Sequence, residues 1–91
     1  MSQRRYLPST LPDLAREWGS QGPDATGALQ AEDDSEESEY AALMGAADAS
    51  QSRLEGLADG LRRRVVVVVE AGAPEQPTWD DVVAVHVDSV D

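Results

Sequence analysis

"LRRRVVVVVEAG", residues 61–72, decides the fold: three arginines, five consecutive valines, then an acid and a glycine. Val65 to Val69 are β-branched and contiguous rather than alternating, so an extended chain here is apolar on both sides. Such a strand is stable only when covered on both faces, which predicts a central place in a sheet. The run is also far shorter than the ~20 apolar residues a bilayer crossing requires. The arginines before it and Glu70 after it flank an aggregation-prone segment with charge. They also follow a predicted helix end, where cations are favoured. The functional alternative is an anion site at Arg62, Arg63 and Arg64.

Upstream, "DSEESEYAALMGAADASQSRLEGLADGL" (34–61) predicts the main helix. Tyr40, Leu43, Ala47, Leu54, Leu57 and Leu61 follow steps of three and four, broken only by Ser50. Asp34 or Ser35 can cap it, with Glu37 or Ser38 answering, and the acids crowding its start suit the helix dipole. Its expected end lies between Leu54 and Gly60. Nearer the N-terminus, Arg4 to Leu7 can extend, with Pro8 pushing Leu7 towards β geometry. Thr10 caps a two-turn helix whose Leu11, Leu14, Ala15 and Trp18 share one face, stopped by Gly19. Residues 19–34 are acidic and turn-rich, which predicts a flexible loop, with a strand hidden in 28–31 as a weaker alternative.

Downstream, "AGAPEQPTWDD" (71–81) reads as a connection to a second strand, "DVVAVHVDSV" (81–90). Alternation there sets Val83, Val85 and Val87 on one face and Val82, Ala84, His86 and Asp88 on the other. The two strands form an antiparallel pair. The predicted class is α+β: a small sheet with a buried Val-rich central strand, packed on one face by one long and one short helix, in a single domain spanning 1–91. The elements are expected to meet at Tyr6, Leu14, Trp18, Tyr40, Leu43, Leu54, Val67 and Val85.

Composition narrows the function classes. Eighteen acidic against seven basic residues leave a net charge of -11, all seven cations being Arg. That surface repels phosphate backbones and anionic lipid, so neither nucleic acid nor membrane is an expected partner. Without cysteine, disulfides, thiolate catalysis and Cys-type zinc sites are excluded. The start "MSQRRYLPST" has a basic pair and no apolar segment after it, so no secretory signal is expected and the compartment is cytoplasmic. Lacking Phe and Ile, the core must come from Val, Leu, Ala, Trp and Tyr, a lean supply that favours stability shared with a partner or a second copy.

Candidate chemistry is sparse. "EDDSEESE" (32–39) lacks the glycine of a calcium loop and leads into a helix, so it reads as capping and solvated charge. His86 is the only histidine. It shares a strand face with Asp88, but no activated nucleophile accompanies the pair. Trp79, beside two aspartates in a loop, is the better of the two tryptophans for an exposed contact, and Trp18 is assigned to the core. No nucleotide-binding, P-loop, esterase or metalloprotease motif is present. The candidate contacts are therefore His86, Asp88, Trp79, Arg62, Arg63 and Arg64, with no catalytic residue, cofactor or metal assigned. Three readings follow: a non-catalytic protein acting through protein contacts or self-association, a small enzyme or ligand-binding domain near His86, and an acidic decoy of nucleic acid for a basic protein.

Four blocks carry a family resemblance: "YLPSTLPDLA" (6–15), "ESEYAALMGAADAS" (37–50), "RRRVVVVVEAG" (62–72) and "VVAVHVD" (82–88). In this order they resemble a domain-of-unknown-function family of small actinobacterial proteins. The resemblance implies lineage and layout, and brings no activity and no catalytic residue. It also implies two departures. Members carry a further strand between the "LPDLA" helix and the "REW" segment, here directly joined at Arg16, and they continue beyond the "VHVD" strand into an acidic, aromatic-containing half. Sheet surface covered by that half would stand open in this chain.

Overall fold

The fold is seen in a computed structural model that describes residues 4–33, 35–57 and 61–89. Asp34, Gly60 and Val90, named above for a cap, a helix end and a strand end, lie outside those residues. The elements run β1 (Arg5–Ser9), α1 (Leu11–Glu17), β2 (Leu29–Gln30), α2 (Glu36–Ser52), β3 (Arg63–Val69), a 3-10 turn (Trp79–Asp81) and β4 (Val82–Ser89). The sheet is antiparallel with order β2-β1-β3-β4. This is the α+β architecture expected. All five valines of β3 are buried between β1 and β4.

Alternation along β3 divides the core in two. Val66 and Val68 join Tyr6, Ala31, Ala42, Ala46 and Ala47 under α2. Val65, Val67 and Val69 join Leu7 on the opposite face, with Leu11, Leu14, Ala25, Ala73 and Val82 packed against them. The two helices therefore take opposite faces rather than sharing one, because a strand apolar on both sides needs cover on both. Each fully buried valine is worth about 1.5–3 kcal/mol, so leaving either face open would forfeit much of the core.

The buried stripe of α2 is Ala42, Ala46, Ala47 and Ser50. Small side chains let the helix axis lie close to the valines, which pushes larger Leu43 to the margin and leaves Tyr40 63% exposed. Tyr40 is thus not a core residue. Ser50, the apparent break in the apolar pattern, fastens the helix to the sheet. Its buried hydroxyl donates to the Ser9 carbonyl (2.6 Å) and accepts from the Val65 N–H (2.9 Å). One turn further, the Arg53 guanidinium donates to the Pro8 and Thr26 carbonyls at 3.1 and 3.4 Å. The helix ends at Ser52, earlier than the leucine spacing suggests. Ser35 caps its start by accepting the Ser38 N–H at 3.1 Å. Pro8 is tolerated in β1 because β2 pairs only with Arg5 and Tyr6, so β1 is itself an edge at that point.

The face opposite α2 is roofed by α1 and two loops. Thr10 accepts the Asp13 N–H at 3.2 Å as the expected cap. Trp18 lies past the seven-residue helix and is 70% exposed, so it is no core residue either. Residues 19–28 press on the β3–β4 connection, where Pro23 and Pro77 are fully buried. A Cβ on Gly22 would stand 2.0 Å from the Pro77 carbonyl oxygen, an approach only glycine permits. The alternative of a strand within 28–31 is realised as β2, and Ala31 enters the core beneath α2. Arg5 holds the other loop by donating to three successive carbonyls, those of Ala73 (3.0 Å), Pro74 and Glu75 (3.2 Å).

Ser50→Ala leaves a buried N–H and a buried carbonyl without their partner and is expected to cost about 1–3 kcal/mol. A urea midpoint unchanged from the parent would show that the hydroxyl is incidental. Gly22→Ala forces the two loops apart, at about 1–3 kcal/mol for overpacking, and limited proteolysis should then cut faster within 19–33.

Candidate functional site

Sheet order leaves β4 paired on one side only among the described residues, so its outer edge presents free backbone N–H and C=O groups. Register fixes which side chains stand there. Arg64 pairs with Asp88, Val65 with Val87, Val66 with His86, Val67 with Val85 and Val68 with Ala84. Arg64, His86 and Asp88 therefore share the α2 face, whereas Val85 and Val87 share the face of α1. A register shift at Val68/Val69 makes Val82 the partner of Val69 and leaves Val83 without one. This bulge corrects the simple alternation: Val82 joins the α1-face core, and Val83 stands at the rim on the α2 side.

Val83, Val85 and Val87 are 48, 42 and 52% exposed. Val85 was expected in the core, and its exposure has a plain cause. The short α1 and the two loops reach the valines of β3 but stop before the outermost strand, whose apolar side chains are left open. Alternation alone cannot tell a buried apolar face from an uncovered one. The signal available in the sequence is the shortness of the first helix, set against two strands in need of cover.

Between α2 and β4 the surface dips into two adjoining hollows of about 250 and 320 Å³. Leu43 and His86 line both. The first continues to Arg64 and Asp88, which form an ion pair, and the second to Tyr6, Glu39 and Arg4. The Nε of Arg64 is buried without a hydrogen-bond partner among the described residues. Burial raises the Tyr6 phenol above its ordinary value of 10.0, and the Glu39 carboxylate adds to the rise while Arg4 opposes it. Of the six residues singled out from the sequence, His86, Asp88 and Arg64 come together here. Arg63 is exposed opposite Ser89, and the Arg62 Nε donates to the Leu57 carbonyl at 2.9 Å. Trp79 lies elsewhere, half-buried, with its indole N–H on the Ser20 carbonyl (3.0 Å) and its ring 5.1 Å from that of Trp18. Trp18, assigned to the core, is thus the more exposed of the two tryptophans, and Trp79 is the hydrogen-bonded one. Tyr6, Tyr40, Leu43 and Val83 were not read as site residues; only the topology brings them to one groove.

Among the described residues no three His, Asp or Glu side chains converge as metal ligands, and no helix is long and apolar enough to cross a membrane. Fold and surface together define a small α+β protein with one open sheet edge beside a shallow groove. Over residues 3–91 the chain matches the family of unknown function DUF6912, and it belongs to that family. No curated protein and no solved structure gives a significant match.

The raised Tyr6 pKa has a signed consequence. The folded state keeps the phenolic proton to higher pH than the unfolded chain, so unfolding releases a proton once pH exceeds about 10. The contribution is complete below that pH and declines as pH rises towards the folded value. Urea midpoints measured from neutral to strongly alkaline pH should fall less steeply in Tyr6→Phe than in the parent.

Proposed function

We propose that the protein is non-catalytic and works in the cytoplasm through protein contacts made at the β4 edge and the adjoining groove. The observation carrying this reading is the edge itself: an eight-residue strand with no proline and no lysine, and with three valines about half exposed. Edges of soluble proteins are ordinarily shortened, charged or covered, because an open one recruits another strand. Here the open edge adjoins a groove where side chains of an added strand find Leu43, Met44 and Val66. The all-arginine basic set and the four sequence blocks support an actinobacterial lineage. A second reading, a small-molecule site against His86, draws on the two hollows, and it requires that His86→Ala abolish the binding of a ligand.

Site-specific photocrosslinking in cells tests the main reading. A benzoylphenylalanine in place of Val87 should give a light-dependent protein adduct. The same probe in place of Asp48, exposed on α2, should give none. Absence of an adduct at 87 would count against β4 as a contact surface.

A further inference from the structure

We infer that the occupant of the β4 edge is a second copy of this chain, paired antiparallel about a two-fold axis at His86. The inference rests on the reading of β4 as a contact surface and adds the identity of the partner. Beyond the bulge at 82–83, residues 84–88 form the regular part of the strand, and His86 is its midpoint. Antiparallel pairing about that point sets Val85 against Val87 of the second copy, and the reverse, on the α1 face. Four half-exposed valines then close over one another, and each free edge N–H donates to a carbonyl of the other copy's strand.

Charge chooses a like partner over a foreign one. In a chain of net charge -11 this strand carries one acid, Asp88, already paired with Arg64. A nearly neutral, β-branched strand is best complemented by another, and β4 is itself such a strand. The ends agree as well. Arg63 and Arg64 stand beside the C-terminal end of β4, while Asp80 and Asp81 immediately precede its N-terminal end. Antiparallel pairing turns the arginine end of each copy towards the aspartate end of the other. Five paired residues at about 3.3 Å each span roughly 17 Å. Such an interface buries less than the roughly 1,200 Å² of long-lived complexes, so the dimer is weak and reversible.

Sedimentation of the purified chain across micromolar to near-millimolar concentration reads this directly. The expected result is a monomer of 9.7 kDa in exchange with a species of twice that mass, with amides in 84–88 gaining protection from hydrogen exchange as concentration rises. Val85→Lys and Val87→Lys place a charge in the seam and should raise the dissociation constant about tenfold or more. Both sites are already half exposed, so the circular dichroism spectrum should not change. Trp18→Ala, an exposed residue away from β4, should leave the constant as it was. A monomer at every concentration, a dimer indifferent to both lysines, or growth beyond two copies overturns the inference. If the chain is monomeric yet the probe at 87 captures a different protein, the contact surface stands and the second copy is wrong. If it captures nothing, both are wrong.

Discussion

Burial of the five valines of β3 on both faces is the constraint from which the rest of the fold follows. A strand with one polar face can rest on a single layer, whereas this one has to be enclosed. Enclosure takes four elements: β1 and β4 at its sides, α2 over Val66 and Val68, and α1 with the two loops over Val65, Val67 and Val69. With little large apolar residue to spend, the chain covers one side with an alanine-lined helix set close to the sheet. It covers the other with leucines and alanines from short segments. Close approach demands fastening, which is why Ser50, Arg53 and Arg5 all reach across to backbone carbonyls of other segments.

This also explains the uneven legibility of the sequence. The valine run declared its own burial, since no other placement of Val65 to Val69 is stable, and the antiparallel partner in 82–89 followed from its alternation. Caps at Thr10 and Ser35 were legible because capping is a local contract between residues three apart. The buried side of α2 was not. Ranking by size selects Tyr40 and Leu43, but the helix turns Ala42 and Ala46 inward because a close-packed interface wants small residues. Ser50 looked like an interruption because its hydrogen-bond partners, Ser9 and Val65, are distant in sequence. Trp18 fits the helical spacing yet stands outside the core, because α1 ends one residue before it. The site followed the same division: His86, Asp88 and Arg64 share a face by strand register, whereas the exposure of Val85 and Val87 depends on how far a roof from elsewhere in the chain extends.

Charge follows from the same economy of parts. Most of the arginines act within the chain: Arg5 and Arg53 on carbonyls, Arg16 on Asp13 at 2.6 Å, Arg64 on Asp88. Cations committed in this way leave the carboxylates to dominate the outer surface. The net field is acidic, although a basic triplet stands beside the central strand. Within the triplet, Arg62 donates to the Leu57 carbonyl and Arg64 pairs with Asp88, while Arg63 is exposed.

The two edges of the sheet are treated oppositely, and that asymmetry bears on what the protein can become. At one end β2 is two residues long and Ala31 turns directly into the core, so an added strand has almost nothing to pair with. At the other, the bulge beside Val83 disrupts the first part of β4 and leaves a regular stretch that is open yet short. An edge open at both ends would template unlimited sheet growth, and an edge closed at both would recognise nothing. One blunted end and one short open end leave room for a single added strand and hold the sheet back from open-ended growth.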